Sequence, residues 1–189
     1  MLETQLNAWS QRPDGTDDLT ATDDLVIAPP IITIAAKSQQ VVRLALLRAP
    51  DPTNQLTYRL LLREVPEAVS PELRGVEIPM ALAMNLPVFV SPPAARRLVD
   101  CGALQRTNLQ ISLSCGNTGN AYGQVREASL RQANVELARF QGGIYLLPGA
   151  AKRFSLAVIR AEAPIAAGRA EVHVSFDDGQ TQVFDVVVP

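Results

Sequence analysis

The 189-residue sequence has one histidine, two cysteines and one tryptophan, and aromatic side chains make up only 5% of it. A tetrahedral structural zinc site draws four ligands largely from Cys and His, so this inventory excludes one, and no metal is expected. Lysine is nearly absent as well: of the 17 basic residues only Lys37 and Lys152 are lysines. With a net charge of −2 and no long basic run, the electrostatic footprint of a nucleic-acid binder is missing. Long apolar runs are missing too. Pro, Arg or Asp interrupts each hydrophobic stretch well short of the roughly 20 residues that span a bilayer, so membrane insertion is not expected.

Catalytic motifs are equally scarce. There is no Gly-x-Ser-x-Gly elbow, no phosphate-binding glycine loop and no His-Glu-x-x-His pair. His173 lies in the alternating run AEVHVSF, where Val172 and Val174 point to the opposite side, so it reads as a strand histidine and not as a general base. Asp177-Asp178-Gly179 lacks the ligand spacing of a 12-residue calcium loop and reads as a hairpin turn. Neither an enzyme nor a cofactor is expected.

What is present is a globular composition, 47% apolar and 19% charged, in a chain long enough for two small sandwich domains. Its dominant pattern is alternation over short runs separated by turn residues, which predicts an all-β fold. Strands are expected over residues 3–9, 25–34, 39–48, 56–65 and 76–90, with a turn-rich loop over 10–24. Ser91-Pro92-Pro93 ends this set, because two prolines cannot both donate to a ladder, and places a domain boundary there: residues 1–92 and 93–189. In the second part strands are expected over 98–105, 109–115, 121–130, 135–140, 143–147, 152–160, 169–176 and 181–188. A helix over 126–140 is the alternative there, since Ala, Leu, Glu and Arg are good helix formers. The second part thus holds enough strands for a complete immunoglobulin-like sandwich, and the first only five.

If residues 98–105 and 109–116 pair as a hairpin centred near Thr107 and Asn108, Cys101 and Cys115 fall opposite one another, which permits a disulfide. Two small buried thiols in a reducing compartment satisfy the same pattern.

Asn7-Ala-Trp9-Ser-Gln11, Pro29-Pro30, Val41-Val-Arg43-Leu44, Tyr58-Arg59-Leu-Leu-Leu-Arg63-Glu64-Val65-Pro66 and Leu86-Pro87-Val-Phe89-Val90 come in an order and spacing that resemble periplasmic pilus-assembly chaperones of the chaperone–usher pathway, in particular the archaic branch. Asn117-Thr-Gly-Asn120 and Tyr145-Leu-Leu-Pro-Gly149 extend the likeness into the second part. The resemblance implies two immunoglobulin-like β-sandwich domains, the first lacking its initial strands here, and a periplasmic location, although Met1 to Trp9 carries neither the basic nor the apolar region of an export signal. It implies pilus subunits and an outer-membrane usher as partners. Subunits of that kind are sandwiches short of one strand, which the chaperone lends.

In such chaperones the lent strand is the last of the first domain, here residues 76–90. Ile78, Met80, Leu82 and Met84 share one face of it, and their large apolar side chains suit a subunit groove. The bland alternative is that this row faces the domain's own core. Better-known relatives anchor the subunit's terminal carboxylate with two basic residues, but Pro87 stands where one of them is expected. On geometry alone Arg59 and Arg63 are nominated instead, because Tyr58, Leu60 and Leu62 make the buried face of their strand and leave both arginines on the other. Two solvated surface charges are the alternative. A structural or adhesive immunoglobulin-like envelope or pilus module is the competing function, and an exposed or a sealed edge on residues 76–90 separates the two readings.

Overall fold

The structure is a computed structural model that describes residues 1–65, 80–107, 110–159 and 165–189. Among the described residues it is built of strands and turns, without helix. The chain divides into two compact units that interleave in sequence: unit 1 holds Met1–Trp9, Leu19–Asp51 and Leu56–Val90, and unit 2 holds Ser10–Asp18, Pro52–Gln55 and Ser91–Pro189.

Unit 1 is formed by β1 (Leu2–Gln11), β2 (Asp17–Ala21), β3 (Leu25–Ala28), β4 (Ile31–Ile32), β5 (Arg43–Leu46), β6 (Leu56–Glu64) and β7 (Ala83–Val90), with the tip of the β1–β2 hairpin counted in unit 2. One sheet runs β2-β1-β6-β7, with β4 added to β1, while β3 and β5 form a separate two-stranded ribbon. The expected 25–34 strand is two pieces, because Pro29 and Pro30 offer no amide hydrogens for a ladder. The expected 39–48 strand is only the four residues of β5. The loop expected over 10–24 contains β2, an error with a clear source. Its turn was read correctly, since Arg12 N donates to Thr16 O and Gly15 takes φ 81°, but the Asp-rich strand after it is almost wholly exposed and shows little alternation. Among the described residues Trp9, Leu25, Ile32, Tyr58 and Leu60 are the buried apolar residues of the unit.

Unit 2 contains β8 (Val99–Thr107), β9 (Gln110–Asn117), β10 (Gly123–Gln132), β11 (Val135–Leu146), β12 (Ala151–Val158), β13 (Gly168–Phe176) and β14 (Thr181–Val188). They are hydrogen-bonded in the order β14-β13-β10-β11-β12-β9-β8, and β14 and β8 at the two ends of this path lie against each other. Leu113, Val125, Leu130, Leu146, Leu156, Val172, Val174 and Val188 fill the interior. Alternation is what puts them there: Val172 and Val174 of β13 are both fully buried, with His173 between them on the other side.

The helix alternative over 126–140 is overturned. Ala133 and Asn134 take φ 47° and 64°, a two-residue turn that pairs Gln132 with Val135 and folds the segment into the β10–β11 hairpin. The strands expected at 135–140 and 143–147 are one, β11, because Gly142-Gly143 is strand and not turn.

Two buried side-chain amides of unit 2 are hydrogen-bonded through both oxygen and nitrogen. The Asn117 side chain donates to Ala121 O and Leu146 O at 2.8 and 2.9 Å, and accepts from Leu98 N and Gly119 N at 3.1 and 3.0 Å. Gln55 donates to Ser91 Oγ at 2.8 Å and accepts from Tyr122 N at 2.9 Å. Such a bonded amide replaces the water it loses on burial.

An open edge strand as candidate functional site

β7 hydrogen-bonds to β6 in a register that runs from Leu56↔Val90 to Arg63↔Ala83. It ends the sheet, and among the described residues no strand lies on its other side. Glu64 N donates to Leu82 O at 2.8 Å, which fixes the phase of the ladder. The main-chain groups of Met84, Leu86 and Val88 therefore turn towards β6, and those of Ala83, Asn85, Pro87 and Phe89 turn outwards. Pro87 thus occupies a place where its missing amide hydrogen costs the internal ladder nothing, and it removes one donor from the open edge.

The nominated row sits as follows. Ile78 lies outside the described residues. Met80 is 87% and Leu82 54% exposed, and Met84 is half-buried. Met84 faces Leu62 across the ladder and shares the side of the sheet that carries Leu60 and Tyr58, both buried. Leu86, on that side too, is 42% exposed. The row is therefore continuous with the core face of β6, yet lies largely open to solvent at Met80 and Leu82.

Tyr58 anchors that face. Its hydroxyl donates to Asp24 Oδ2 at 2.9 Å, and Arg48 Nη1 lies 3.2 Å from the same oxygen. Burial, followed by the Asp24 carboxylate, pushes the Tyr58 hydroxyl up to about 12 from an ordinary 10.0.

Arg59 and Arg63 share the opposite face of β6, four residues apart along the strand. Arg59 pairs with Asn7 and Pro87 across its two ladders, and Arg63 with Glu3 and Ala83. The Arg59 guanidinium lies 3.6 Å over the ring of Trp9, whose centroid is 6.1 Å from that of Phe89 on β7. This cation–π contact holds the Arg59 guanidinium against the Trp9 ring. Arg63 is exposed and borders a small cavity of about 210 Å³ with Glu3, Thr4, Gln5 and Leu61. The face can offer fork-shaped donors to a carboxylate. The arginine–tryptophan stack was missed in the sequence, although the alternation that puts Arg59 and Trp9 on one side of adjacent strands was the available signal.

In unit 2 Cys101 and Cys115 form a disulfide, directly opposite each other on β8 and β9. The hairpin pairs Thr107 with Gln110, one residue out of phase with the cysteine pair, and a bulge between Cys101 and Ala103 takes up the difference. Among the described residues no group of three or more His, Cys, Asp and Glu is placed to hold a metal.

Residues 2–96, half of the chain, match the family model of the pili and flagellar-assembly chaperones, PapD N-terminal domain. No curated protein matches the sequence. Several solved structures share its fold at low identity. A chain of the chaperone–tip adhesion subunit pre-assembly complex CsuC–CsuE, from the archaic chaperone–usher Csu pili of Acinetobacter baumannii, aligns with TM-score 0.64 and 15% identity over 98% of this chain and 83% of its own. The CupB2 chaperone of Pseudomonas aeruginosa aligns with TM-score 0.56 and 14% identity over 100% and 85%. A chain of the SafA pilin–SafB chaperone complex of Salmonella enterica aligns with TM-score 0.57 and 15% identity over 99% and 82%. The two units are immunoglobulin-like β-sandwich domains. With half its length matched to that model and its whole fold shared with such chaperones, the chain belongs to the family of pilus-assembly chaperones.

Proposed function

We propose that this chain binds pilus subunits in the periplasm by lending them β7 and the residues just before it as a strand, and passes them to an outer-membrane usher. The observation that carries this reading is the open edge of β7, lined on the core side by Met80, Leu82 and Met84. Outward-turned amides and carbonyls of Ala83, Asn85 and Phe89 would complete the ladder of an incomplete sandwich, and the alternate apolar side chains, with Ile78 ahead of them, would fill its groove. A structural or adhesive module would need this edge sealed. On the other face, Arg59 and Arg63 would hold the subunit's terminal carboxylate. No step in this activity breaks or makes a covalent bond, so the chain works as a binding protein and not as an enzyme.

The test is co-expression with a pilus subunit from the same gene cluster, followed by co-purification and affinity measurement. Each of Leu82→Ser and Met84→Ser is expected to weaken binding roughly 10-fold or more, from the loss of about 1.5–3 kcal/mol of apolar burial. Failure of the unaltered chain to retain the subunit, or unchanged affinity in the double variant, would sink the proposal.

A further inference from the structure

We propose that Met80 and Met84 form a reversible oxidation site on the lent strand, at which conversion to methionine sulfoxide switches off capture of the subunit. The inference rests on the strand-lending reading and adds a redox control to it. Reactive sulfur is sparse in this chain. Both cysteines are locked in the Cys101–Cys115 disulfide, which leaves the thioethers of Met1, Met80 and Met84. Two of these three stand in one row, four residues apart with Leu82 between them. Met80 is 87% exposed and Met84 is half-buried, so a small oxidant reaches the first freely and the second in part.

A two-electron oxidant such as hydrogen peroxide supplies the oxygen. The Sδ lone pair attacks one peroxide oxygen, and an S–O bond forms as the O–O bond breaks. The departing oxygen takes up the proton left on the transferred one and leaves as water. The sulfur loses two electrons and the peroxide gains them. In the free chain the change costs little at Met80, because the new oxygen lies in water. In the complex the same side chain fills an apolar groove, where a sulfoxide gives up its water and is offered no donor. The penalty therefore falls on binding and not on folding. Sulfoxide reductases return the thioether, so the site resets, whereas leucine has a similar volume and no sulfur to oxidise.

The test uses the whole chain, hydrogen peroxide and a pilus subunit from the same gene cluster. Mass spectrometry of the chain alone is expected to show Met80 oxidised within about 10-fold of the rate of methionine in a short peptide, with Met84 slower. Chain oxidised at Met80 is expected to keep its melting midpoint and to bind the subunit at least ~10-fold more weakly than before treatment. Methionine sulfoxide reductases should restore the affinity. Met80→Leu/Met84→Leu, compared with its own affinity before peroxide, should lose nothing on treatment. A slower Met80, a smaller loss of affinity, or an equal loss in the leucine variant overturns the inference and leaves the strand-lending reading standing. No binding before peroxide removes both. Should the leucine variant bind too weakly to measure, the reductases decide, and their failure to restore binding overturns the inference.

Discussion

Tyr58 shows how one side chain ties the physics of unit 1 together. Its ring lies in the small apolar interior, and its hydroxyl reaches the Asp24 carboxylate that Arg48 also holds. Replacing it by Phe keeps the ring and loses the hydrogen bond, which is expected to cost about 1 kcal/mol at neutral pH. The pH dependence has a definite sign. A hydroxyl raised to about 12 in the fold, from 10.0, supplies stability that is complete below pH 10 and disappears as pH rises towards 12. Tyr122, raised to about 12 by burial and by Asp177, acts in the same window in unit 2. Tyr58→Phe should therefore flatten the alkaline decline of unit 1 and leave that of unit 2 in place. Denaturation curves at pH 8 and pH 11 measure it, and an unaltered slope for unit 1 would contradict the assignment.

The β10–β11 hairpin illustrates what an element can reveal beforehand and what it conceals. Ala133 holds φ 47°, a left-handed conformation that its β-carbon opposes, in an exposed turn. Ala133→Gly is accordingly expected to stabilise the chain by up to about 1 kcal/mol, visible as a higher midpoint in urea; a lower midpoint would mean that the turn is not under this constraint. Most strands were legible because their alternation is strong, as in β13. The helix alternative arose because Ala, Leu, Glu and Arg give a favourable local propensity that tertiary pairing then overrides. Gly142-Gly143 misled for another reason. A β-carbon at Gly142 would come 2.8 Å from the Phe140 ring, so this glycine makes room for an aromatic side chain within a continuous strand, and spacing alone does not distinguish that from a turn. The open edge of β7 was only half legible: alternation marks the row of Leu82 and Met84, but whether another strand covers it is a property of topology.

Across the whole molecule the two units differ in how much they bury. Among the described residues unit 2 has a continuous core braced by a disulfide, whereas unit 1 buries Trp9, Leu25, Ile32, Tyr58 and Leu60. Heating is expected to unfold unit 1 first. Trp9 is the sole tryptophan and belongs to unit 1, so its emission reports that unit alone. Its red shift should precede the main loss of far-ultraviolet dichroism, and coincident transitions would mean a single cooperative block. Pro87 matters at this scale too. A flat strand edge with exposed leucine and methionine beside it is a template on which like chains stack into insoluble ribbons at high concentration. One missing amide hydrogen in the middle of that edge leaves every such stack with an unanswered carbonyl at each junction, so Pro87 weakens the very template that the exposed side chains beside it would otherwise offer to like chains.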